Sequence, residues 1–432
     1  VNNEVGSINP IKEIEKIVHS NPICAFHVDC VQSFSKIDVP FEILDMATIS
    51  AHKIHGLKGS ALLMKKNKIT VLNGTGAVLG PSIFSPVSGT VSVTFDDKNK
   101  EDVMIVPKHV IIATGSSPKT LPSLPIDEKM ILTSNGMLEL TALPKKVAII
   151  GGGVIGVEWA SLLNDFGVDV TIVEFLDQLV INESQTIARE LQKQLENRGI
   201  HIQLGAKVEQ ATIKNKQVAL TIAEQSNPLI VDKVMVAIGR QPNVEGIGLQ
   251  NTSIKYSAKG ITHNAFYQTT EDHIYAIGDV IDTLQLAHVA MKEGIIAVEH
   301  MAGLPVAPLN YNDVPRCTYT DPEIASVGYT SSNYPQDRDV KIGRFNFNAN
   351  AKAIILGDTA GFVEVLRDVV TDDIIGVSII GAHATDMIAE MSDAMYLDAS
   401  ATEIGDAVHP HPSLSEAIQE ATLDTHKIAI HK

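Results

Sequence analysis

The pattern of apolar and polar positions predicts an α/β chain whose character changes abruptly near residues 66–70. Before that point, apolar residues at helical spacing predict a helix over 9–18, and two short apolar runs, 25–29 and 46–50, predict buried strands. After it, alternating β-branched residues predict hairpins up to about residue 95. No linker separates the two parts.

The rest of the chain predicts strands mixed with amphipathic helices. A strand, a helix and a second strand are predicted over 145–174, and another helix over 184–199, where Gly199 is a typical stop. Beyond residue 314 alternating strands predominate, with helices predicted over 385–395 and 413–422.

The composition is that of soluble α/β domains, since 44% of the 432 residues are hydrophobic and 30 are glycine. The net charge of −17 argues against binding to nucleic acid or an anionic membrane surface, because both would repel the chain. Only three cysteines are present, so we expect no disulfide framework and a reducing, cytoplasmic compartment. Neither a secretion signal nor a membrane span is predicted, and a first residue of Val rather than Met suggests that an upstream part is absent.

A G-x-G-x-x-G motif, formed by Gly151, Gly153 and Gly156, lies between a predicted strand and a predicted helix. Such glycines permit a tight turn, let backbone amides approach a pyrophosphate and let helix and strand pack closely. Glu174 ends the next strand, where a carboxylate accepts from both ribose hydroxyls and repels a 2′-phosphate. NAD is therefore predicted rather than NADP; the alternative is a turn that serves packing alone.

Four motifs occur in the order of a known family: GGGVIGVEWA, AIGRQPN, YAIGD followed by LAH, and HPHPSLSE. On these residues, the chain from about 68 to 432 resembles the dihydrolipoyl dehydrogenases of the pyridine nucleotide-disulfide oxidoreductase family. The stretch TVLNGTGAVLG looks most like the enzymes of branched-chain 2-oxo acid complexes. The resemblance implies an incomplete FAD-binding domain, a complete Rossmann-like NAD-binding domain and a C-terminal α+β dimerisation domain. The implied bounds are 68–143 and 266–313 for the FAD-binding domain, 144–265 for the NAD-binding domain and 314–432 for the dimerisation domain.

The resemblance also implies cofactor contacts. NAD would be bound by Gly151, Gly153, Gly156, Glu174 and Gly239, with Glu158 near the nicotinamide; from spacing alone, Glu158 is a solvated helix charge. FAD would be contacted by Thr114, Gly115, Asp279, Ala287 and His288. No metal site is predicted.

His411 and Glu416 are the implied catalytic residues. In such enzymes the histidine takes a thiol proton, a carboxylate on its far ring nitrogen sets the tautomer, and the histidine reaches into a partner subunit. A homodimer, and a lipoyl domain and acyltransferase core as partners, are therefore implied. Two alternatives stay open: His411 is an exposed loop histidine, or Ser413 and Glu416 form a capping box that competes for the carboxylate oxygens.

Three features of the family are missing from the sequence before residue 68: a first G-x-G-x-x-G loop for FAD, a C-x-x-x-x-C redox pair and the lysine that follows it. Cys24 and Cys30 are one residue too far apart to be that pair, and small core residues are the better interpretation. We therefore expect a catalytically incomplete enzyme. The alternative is a non-catalytic dimeric NAD-binding module.

Residues 1–67 resemble another family. VNNEVGSINPIKEI, HVDCVQSF and ISAHKIHGLKGSALLMKK look like part of a cysteine desulfurase, a pyridoxal phosphate enzyme of the class V aminotransferase group. That resemblance implies a PLP-transferase-like α/β fragment, with Lys53 forming the Schiff base and Asp29 pairing with the pyridinium nitrogen; the alternative is that Lys53 is a surface lysine. The chain is thus predicted to be chimeric, and a desulfurase remnant is a further candidate function.

Overall fold

A computed structural model describes residues 27–29, 46–48, 70–83 and 87–431, with only the backbone for the first two segments. The chain divides into two compact units. The first unit comprises Val1–Ser117 and Gln241–Leu309, and the second comprises Pro118–Arg240 and Asn310–Lys432. The strands Ser116–Pro118 and Arg240–Pro242 contain two of the division points. The predicted helix over 9–18 lies outside the described residues.

The described residues of the first unit form small sheets and one long helix. The predicted hairpins form a three-stranded antiparallel sheet of Thr75–Leu79, Thr90–Thr94 and Val103–Ile105. Val110–Ile112 pairs in parallel with Ile274–Ala276, and His27–Asp29 pairs in parallel with Met46–Thr48 as a separate sheet. The other elements are the hairpin strands Tyr256–Ser257 and Gly260–Ile261, the 3₁₀ turns Leu249–Asn251 and Gly278–Val280, and the helix Ala287–Met301.

The second unit begins with a five-stranded parallel sheet. Its strands, from edge to edge, are His201–Gln203, Asp169–Val173, Lys146–Ile150, Lys233–Val236 and Ile131–Leu132. The connecting helices are Ser134–Leu138, Val154–Asp165 and Gln185–Asn197. A three-stranded antiparallel sheet of Val208–Lys214, Gln217–Ile222 and Leu229–Val231 lies in the chain between the strands His201–Gln203 and Lys233–Val236. The predicted strand-helix-strand over 145–174 and the helix over 184–199 are confirmed.

The C-terminal part of the second unit is an antiparallel sheet covered by helices. Its strand order is Arg316–Thr318, Glu323–Gly328, Ile374–Gly381, Phe362–Asp368 and Val340–Asn346. The helices are Ala351–Leu356, Ala384–Tyr396, Ala401–Asp406 and Glu416–Thr425, and the 3₁₀ turns are Tyr311–Asp313 and Phe347–Ala349. The last helix thus begins three residues later than predicted.

The helix Gln185–Asn197 lies between the two large sheets of the second unit. Its apolar face, Ile187, Ala188, Leu191 and Leu195, is almost fully buried. The same cluster includes apolar residues of the parallel sheet and Ile380 of the antiparallel one. At roughly 1.5–3 kcal/mol per large apolar side chain, this shared core stabilises both sheets together. Among the described residues, no helix is both long and apolar enough to cross a lipid bilayer.

The helix Glu416–Thr425 packs on the strand Val340–Asn346 at a glycine. A Cβ added to Gly343 would lie 2.1 Å from the Ala421 carbonyl oxygen and 2.6 Å from the Thr425 backbone nitrogen. Gly343→Ala should therefore lower the free energy of unfolding of the second unit by about 1–3 kcal/mol, because the backbones must separate. Urea unfolding followed by fluorescence of Trp159, the single tryptophan, measures this.

Gly76→Ala provides the matched control. Gly76 lies in the first unit, and an added Cβ there meets nothing within 4 Å. It should change the same transition by less than about 0.5 kcal/mol. Equal effects of the two substitutions would contradict the packing argument.

Candidate nucleotide and proton-transfer sites

The glycine turn of the second unit, residues 151–156, has open space beside Gly153 but not beside Gly151 or Gly156. A Cβ on Gly151 would lie 2.4 Å from the Ala237 carbonyl oxygen, and one on Gly156 would lie 2.0 Å from the Gly151 carbonyl oxygen. A Cβ on Gly153 would meet no described atom within 4 Å. Gly153 is the N-cap of the helix Val154–Asp165, and this cap makes no side-chain hydrogen bond to the first-turn amides. The open approach and the uncapped amides fit a pyrophosphate.

Glu174 lies beside this turn and is buried. Its Oε2 accepts from the Gly152 amide at 2.5 Å, and its Oε1 accepts from the Leu176 amide at 2.7 Å. A carboxylate oxygen accepts more than one hydrogen bond, so both oxygens remain able to accept from ribose hydroxyls. Gly239 has a φ of +106°, and its carbonyl oxygen accepts from the Lys119 amide at 2.9 Å. The residues present therefore fit NAD.

Glu158 is half-buried and is not a simple solvated helix charge. Its Oε1 accepts from the Tyr319 amide at 2.9 Å. Burial raises the pKa of the Glu158 carboxyl, and this hydrogen bond lowers it in part. The carboxylate thus connects the helix Val154–Asp165 to Tyr319, the residue that follows the strand Arg316–Thr318.

In the first unit, Asn243 fixes the turn that contains Thr114 and Gly115. The Thr114 hydroxyl donates to the Asn243 carbonyl oxygen at 2.8 Å, and the Asn243 side-chain amide donates to the Thr114 carbonyl oxygen at 2.8 Å. The Asn243 backbone amide donates to the Gly115 carbonyl oxygen at 2.9 Å, and Gly115 has a φ of +71°. The motif AIGRQPN contains Asn243, but only the structure shows which turn it contacts.

Asp279 and Glu293 lie at the second turn of the predicted flavin site. Asp279 accepts from the Ser116 hydroxyl at 2.6 Å. Glu293 is fully buried and accepts from the Gly278 amide at 2.6 Å and from the Thr283 hydroxyl at 2.9 Å. Glu293 was not predicted as a site residue, although its helical spacing from buried Val289 and Ile296 marks it as a charge on an apolar face.

Ala287 and His288 begin the helix Ala287–Met301, whose N-terminus has no side-chain cap. Amides without a cap suit the approach of an acceptor such as a flavin ring oxygen. Within the described residues of the first unit, however, the parallel sheet next to these turns has two strands. The residues present thus fit the ring and ribityl portion of FAD, whereas the described elements include no glycine turn for its ADP portion.

His411 and Glu416 contact each other directly. His411 Nδ1 lies 2.8 Å from Glu416 Oε1, and the Ser413 amide donates to Glu416 Oε2 at 2.9 Å. The two predicted roles of Glu416 therefore use different oxygens and do not compete. The His411 side chain is 71% exposed, so its Nε2 is accessible.

The capping box left open as an alternative for Ser413 and Glu416 is only half formed. The Ser413 hydroxyl has no hydrogen-bond partner among the described residues, and the helix begins at Glu416 with Ser415 as its N-cap. Ser413 does not act as the cap because the chain turns into the helix two residues later. Burial acts to raise the pKa of Glu416, but the Ser413 amide and the His411 ring lower it overall.

Cys317 is the only cysteine in the part of the chain that the structure describes with side chains, and it is reduced. Burial raises the pKa of its thiol to about 11, with further contributions from the charges of Glu323, Glu183, Asp386 and Glu158. A thiol in such surroundings stays protonated and is a poor nucleophile. Cys317 therefore does not replace a redox cysteine.

Of the two residues predicted to bind pyridoxal phosphate, Asp29 ends the strand His27–Asp29, of which only the backbone is described, and Lys53 lies outside the described residues.

The comparisons with known proteins give the class of the chain. Residues 8–294 match the pyridine nucleotide-disulphide oxidoreductase family, and residues 314–422 match the dimerisation domain of that family. The chain belongs to this family, whose members depend on FAD and NAD.

Within the family, the chain is similar to dihydrolipoyl dehydrogenases. That of Bacillus subtilis is 50% identical over 374 residues, which cover 85% of this chain and 79% of the relative. The mitochondrial enzyme of Pisum sativum is 35% identical over 398 residues, 90% of this chain and 77% of the relative.

Solved structures support the fold. LpdA from Mycobacterium tuberculosis matches with a TM-score of 0.75 and 28% identity, over 82% of this chain and 76% of its own. The HOCl-induced flavoprotein disulfide reductase RclA from Escherichia coli, as a Cu(II) complex, matches with a TM-score of 0.75 and 25% identity, over 82% of this chain and 79% of its own. The chain is thus a dihydrolipoyl dehydrogenase-like flavoprotein disulfide oxidoreductase.

The raised pKa of Cys317 predicts slow alkylation. In a variant in which Cys24 and Cys30 are Ser, iodoacetamide should modify Cys317 at neutral pH about 100-fold more slowly than an ordinary thiol, because its pKa rises from 9.0 to about 11. Mass spectrometry of the alkylated peptide measures the rate. The same variant unfolded in guanidinium is the control and should react at the ordinary rate; equal rates in both states would contradict the assignment.

Proposed function

We propose that this chain provides the NAD-binding, flavin-ring and dimerisation parts of a dihydrolipoyl dehydrogenase, and that His411 is its proton acceptor. The observation that carries the proposal is the contact between His411 and Glu416 inside the matched dimerisation domain. When bound, FAD and NAD supply the carriers that accept electrons from a dithiol and pass them on as hydride.

The role of His411 follows from its two ring nitrogens. Because Nδ1 faces a carboxylate at 2.8 Å, the ring carries its hydrogen there, and the lone pair of Nε2 points away from Glu416. An exposed Nε2 can take the proton of a thiol, and the Glu416 charge stabilises the imidazolium that results. The pair is thus a general base for thiol chemistry.

The role of the second unit is to bind the nicotinamide nucleotide. The uncapped turn at Gly153 receives the pyrophosphate, and Glu174 accepts from the adenosine ribose. Glu158, on the same helix, lies near the nicotinamide in this proposal. The domain bounds that the sequence implies remain part of the proposal.

The chain by itself does not oxidise dihydrolipoamide in this proposal. Its sequence contains no C-x-x-x-x-C pair, and the thiol of Cys317 is kept protonated. A homodimer, a lipoyl domain and an acyltransferase core as partners, and a cytoplasmic location belong to the same proposal. The match to the dimerisation domain supports the homodimer.

A pyridoxal phosphate site at Lys53 and Asp29 remains a prediction from the sequence. The family match begins at residue 8 and covers both positions, so it does not support a desulfurase remnant or a fusion near residues 66–70. Pyridoxal absorbance that disappears in Lys53→Ala would revive that interpretation.

Nucleotide selectivity tests the role of Glu174. The chain should bind NADH at least about tenfold more tightly than NADPH, because a 2′-phosphate meets the buried carboxylate. Glu174→Gln keeps an acceptor for the Leu176 amide but removes the charge, and should bring the two affinities to within about threefold. Isothermal titration calorimetry measures both, and Glu209→Gln, on an exposed position of the same unit, is the matched control. Equal affinities in the unmodified chain would overturn the assignment.

Activity in the presence of added FAD tests the proposed incompleteness. The purified chain, supplied with FAD, NAD and dihydrolipoamide, should form no NADH above background, since no dithiol of its own relays the electrons. NADH absorbance measures this, with an intact dihydrolipoyl dehydrogenase as the positive control. NADH formation that is lost in His411→Gln would show that the chain is complete after all.

A further inference from the structure

The loop between the helices Ala401–Asp406 and Glu416–Thr425 contains a second histidine, His409, with an unusual environment. In contrast to His411, its side chain is only 6% exposed. Its Nε2 lies 2.8 Å from Glu390 Oε1, and its Nδ1 lies 3.1 Å from the Ala407 carbonyl oxygen. Both ring nitrogens therefore face oxygen atoms.

These two contacts hold the ring from both sides. One ring nitrogen faces the backbone of its own loop, and the other faces a side chain of another helix. Because both contacts depend on the orientation of the mostly buried ring, the ring and the loop backbone beside it are fixed together.

The pair connects the loop to a different helix from the one that His411 precedes. Glu390 lies in the helix Ala384–Tyr396. The Ala407 carbonyl oxygen also accepts from the Gln419 side chain at 2.8 Å, and on the far side of His411 the Asn350 side chain donates to the Ser413 carbonyl oxygen at 3.0 Å. The exposed His411 thus lies between two backbone carbonyls, those of Ala407 and Ser413, that are held by hydrogen bonds from side chains.

We propose that His409, held between Glu390 and the Ala407 carbonyl oxygen, is a positioning residue that orients His411 toward Glu416. This inference rests on the proposed role of His411 as the base. His409 itself contacts neither the Glu416 carboxylate nor, in this proposal, the substrate. Its effect is to fix the backbone two residues before His411, so that His411 Nδ1 stays within hydrogen-bond distance of Glu416 and Nε2 stays exposed.

NMR of the full chain labelled with ¹⁵N-histidine tests the proposal, with assignments from single His→Asn variants. In Glu390→Gln the signal of His409 Nε2 should shift, because its carboxylate partner is lost, whereas the signal of Nδ1, which faces the Ala407 carbonyl oxygen, should move less. A His409 Nε2 signal that is the same in Glu390→Gln as in the unmodified chain would overturn the proposal.

The second readout is the tautomer of His411 at a pH where its ring is neutral. The ratio of the Nδ1–H to the Nε2–H form should fall about fivefold in Glu390→Gln and in His409→Asn, the size expected for the loss of one hydrogen bond. Asp386→Asn removes an exposed carboxylate of the same helix, one that pairs with His383 at 3.6 Å, and should leave the ratio unchanged. An unchanged ratio in both test variants would also overturn the proposal.

Two controls separate this proposal from the function on which it rests. Trp159 fluorescence checks that each variant is folded, and the conservative Glu390→Gln keeps the result interpretable if His409→Asn does not fold. Neither NMR readout requires bound nucleotide or turnover. A chain that lacks NAD binding but shows both NMR effects would contradict the proposed function and leave the role of His409 intact.

Discussion

The burial of one helix against two sheets is the constraint on which the second unit depends. The helix Gln185–Asn197 has one apolar face, and its residues belong to a cluster that includes both the parallel and the antiparallel sheet. If either sheet were removed, part of this apolar face would be exposed to water. One sheet alone therefore cannot bury the helix. The nucleotide turn and the segment with His411 are therefore parts of one folded body.

Two carboxylates, one buried and one half-buried, also connect the two sheets through hydrogen bonds. Glu158 accepts from the Tyr319 amide, and Glu183 accepts from the Ser326 hydroxyl at 3.0 Å. Burial raises the pKa of both carboxyls, although the positive charge of Arg316 and the hydrogen bond from Ser326 act in the opposite direction on Glu183. Such groups stabilise the fold only while their partners remain, because an unpaired buried carboxylate is costly. They make the arrangement of the two sheets specific, whereas the apolar core makes it stable.

The sequence predicts those parts of the sites that depend on local spacing. The glycine turn and Glu174 follow from a strand, a turn and a helix of fixed lengths, and His411 and Glu416 are five positions apart. Asn243 was not predicted to fix the turn at Thr114, because 129 positions separate the two residues. The competition expected at Glu416 does not occur, because His411 and the Ser413 amide contact different oxygens of the carboxylate. Which oxygen each of them reaches depends on the path of the backbone. The contact of His409 with Glu390 likewise joins residues that lie 19 positions apart.

The surroundings of the proposed base differ from those of the described thiol. His411 is exposed, and its Nδ1 contacts one carboxylate, that of Glu416. Cys317 is half-buried near four carboxylates, which disfavours loss of its proton. Two of these four carboxylates, Glu158 and Glu183, are also the residues that connect the two sheets. The contacts that connect the sheets therefore also help to keep this thiol protonated, and in the proposed function the thiol that gives its proton to His411 is not Cys317.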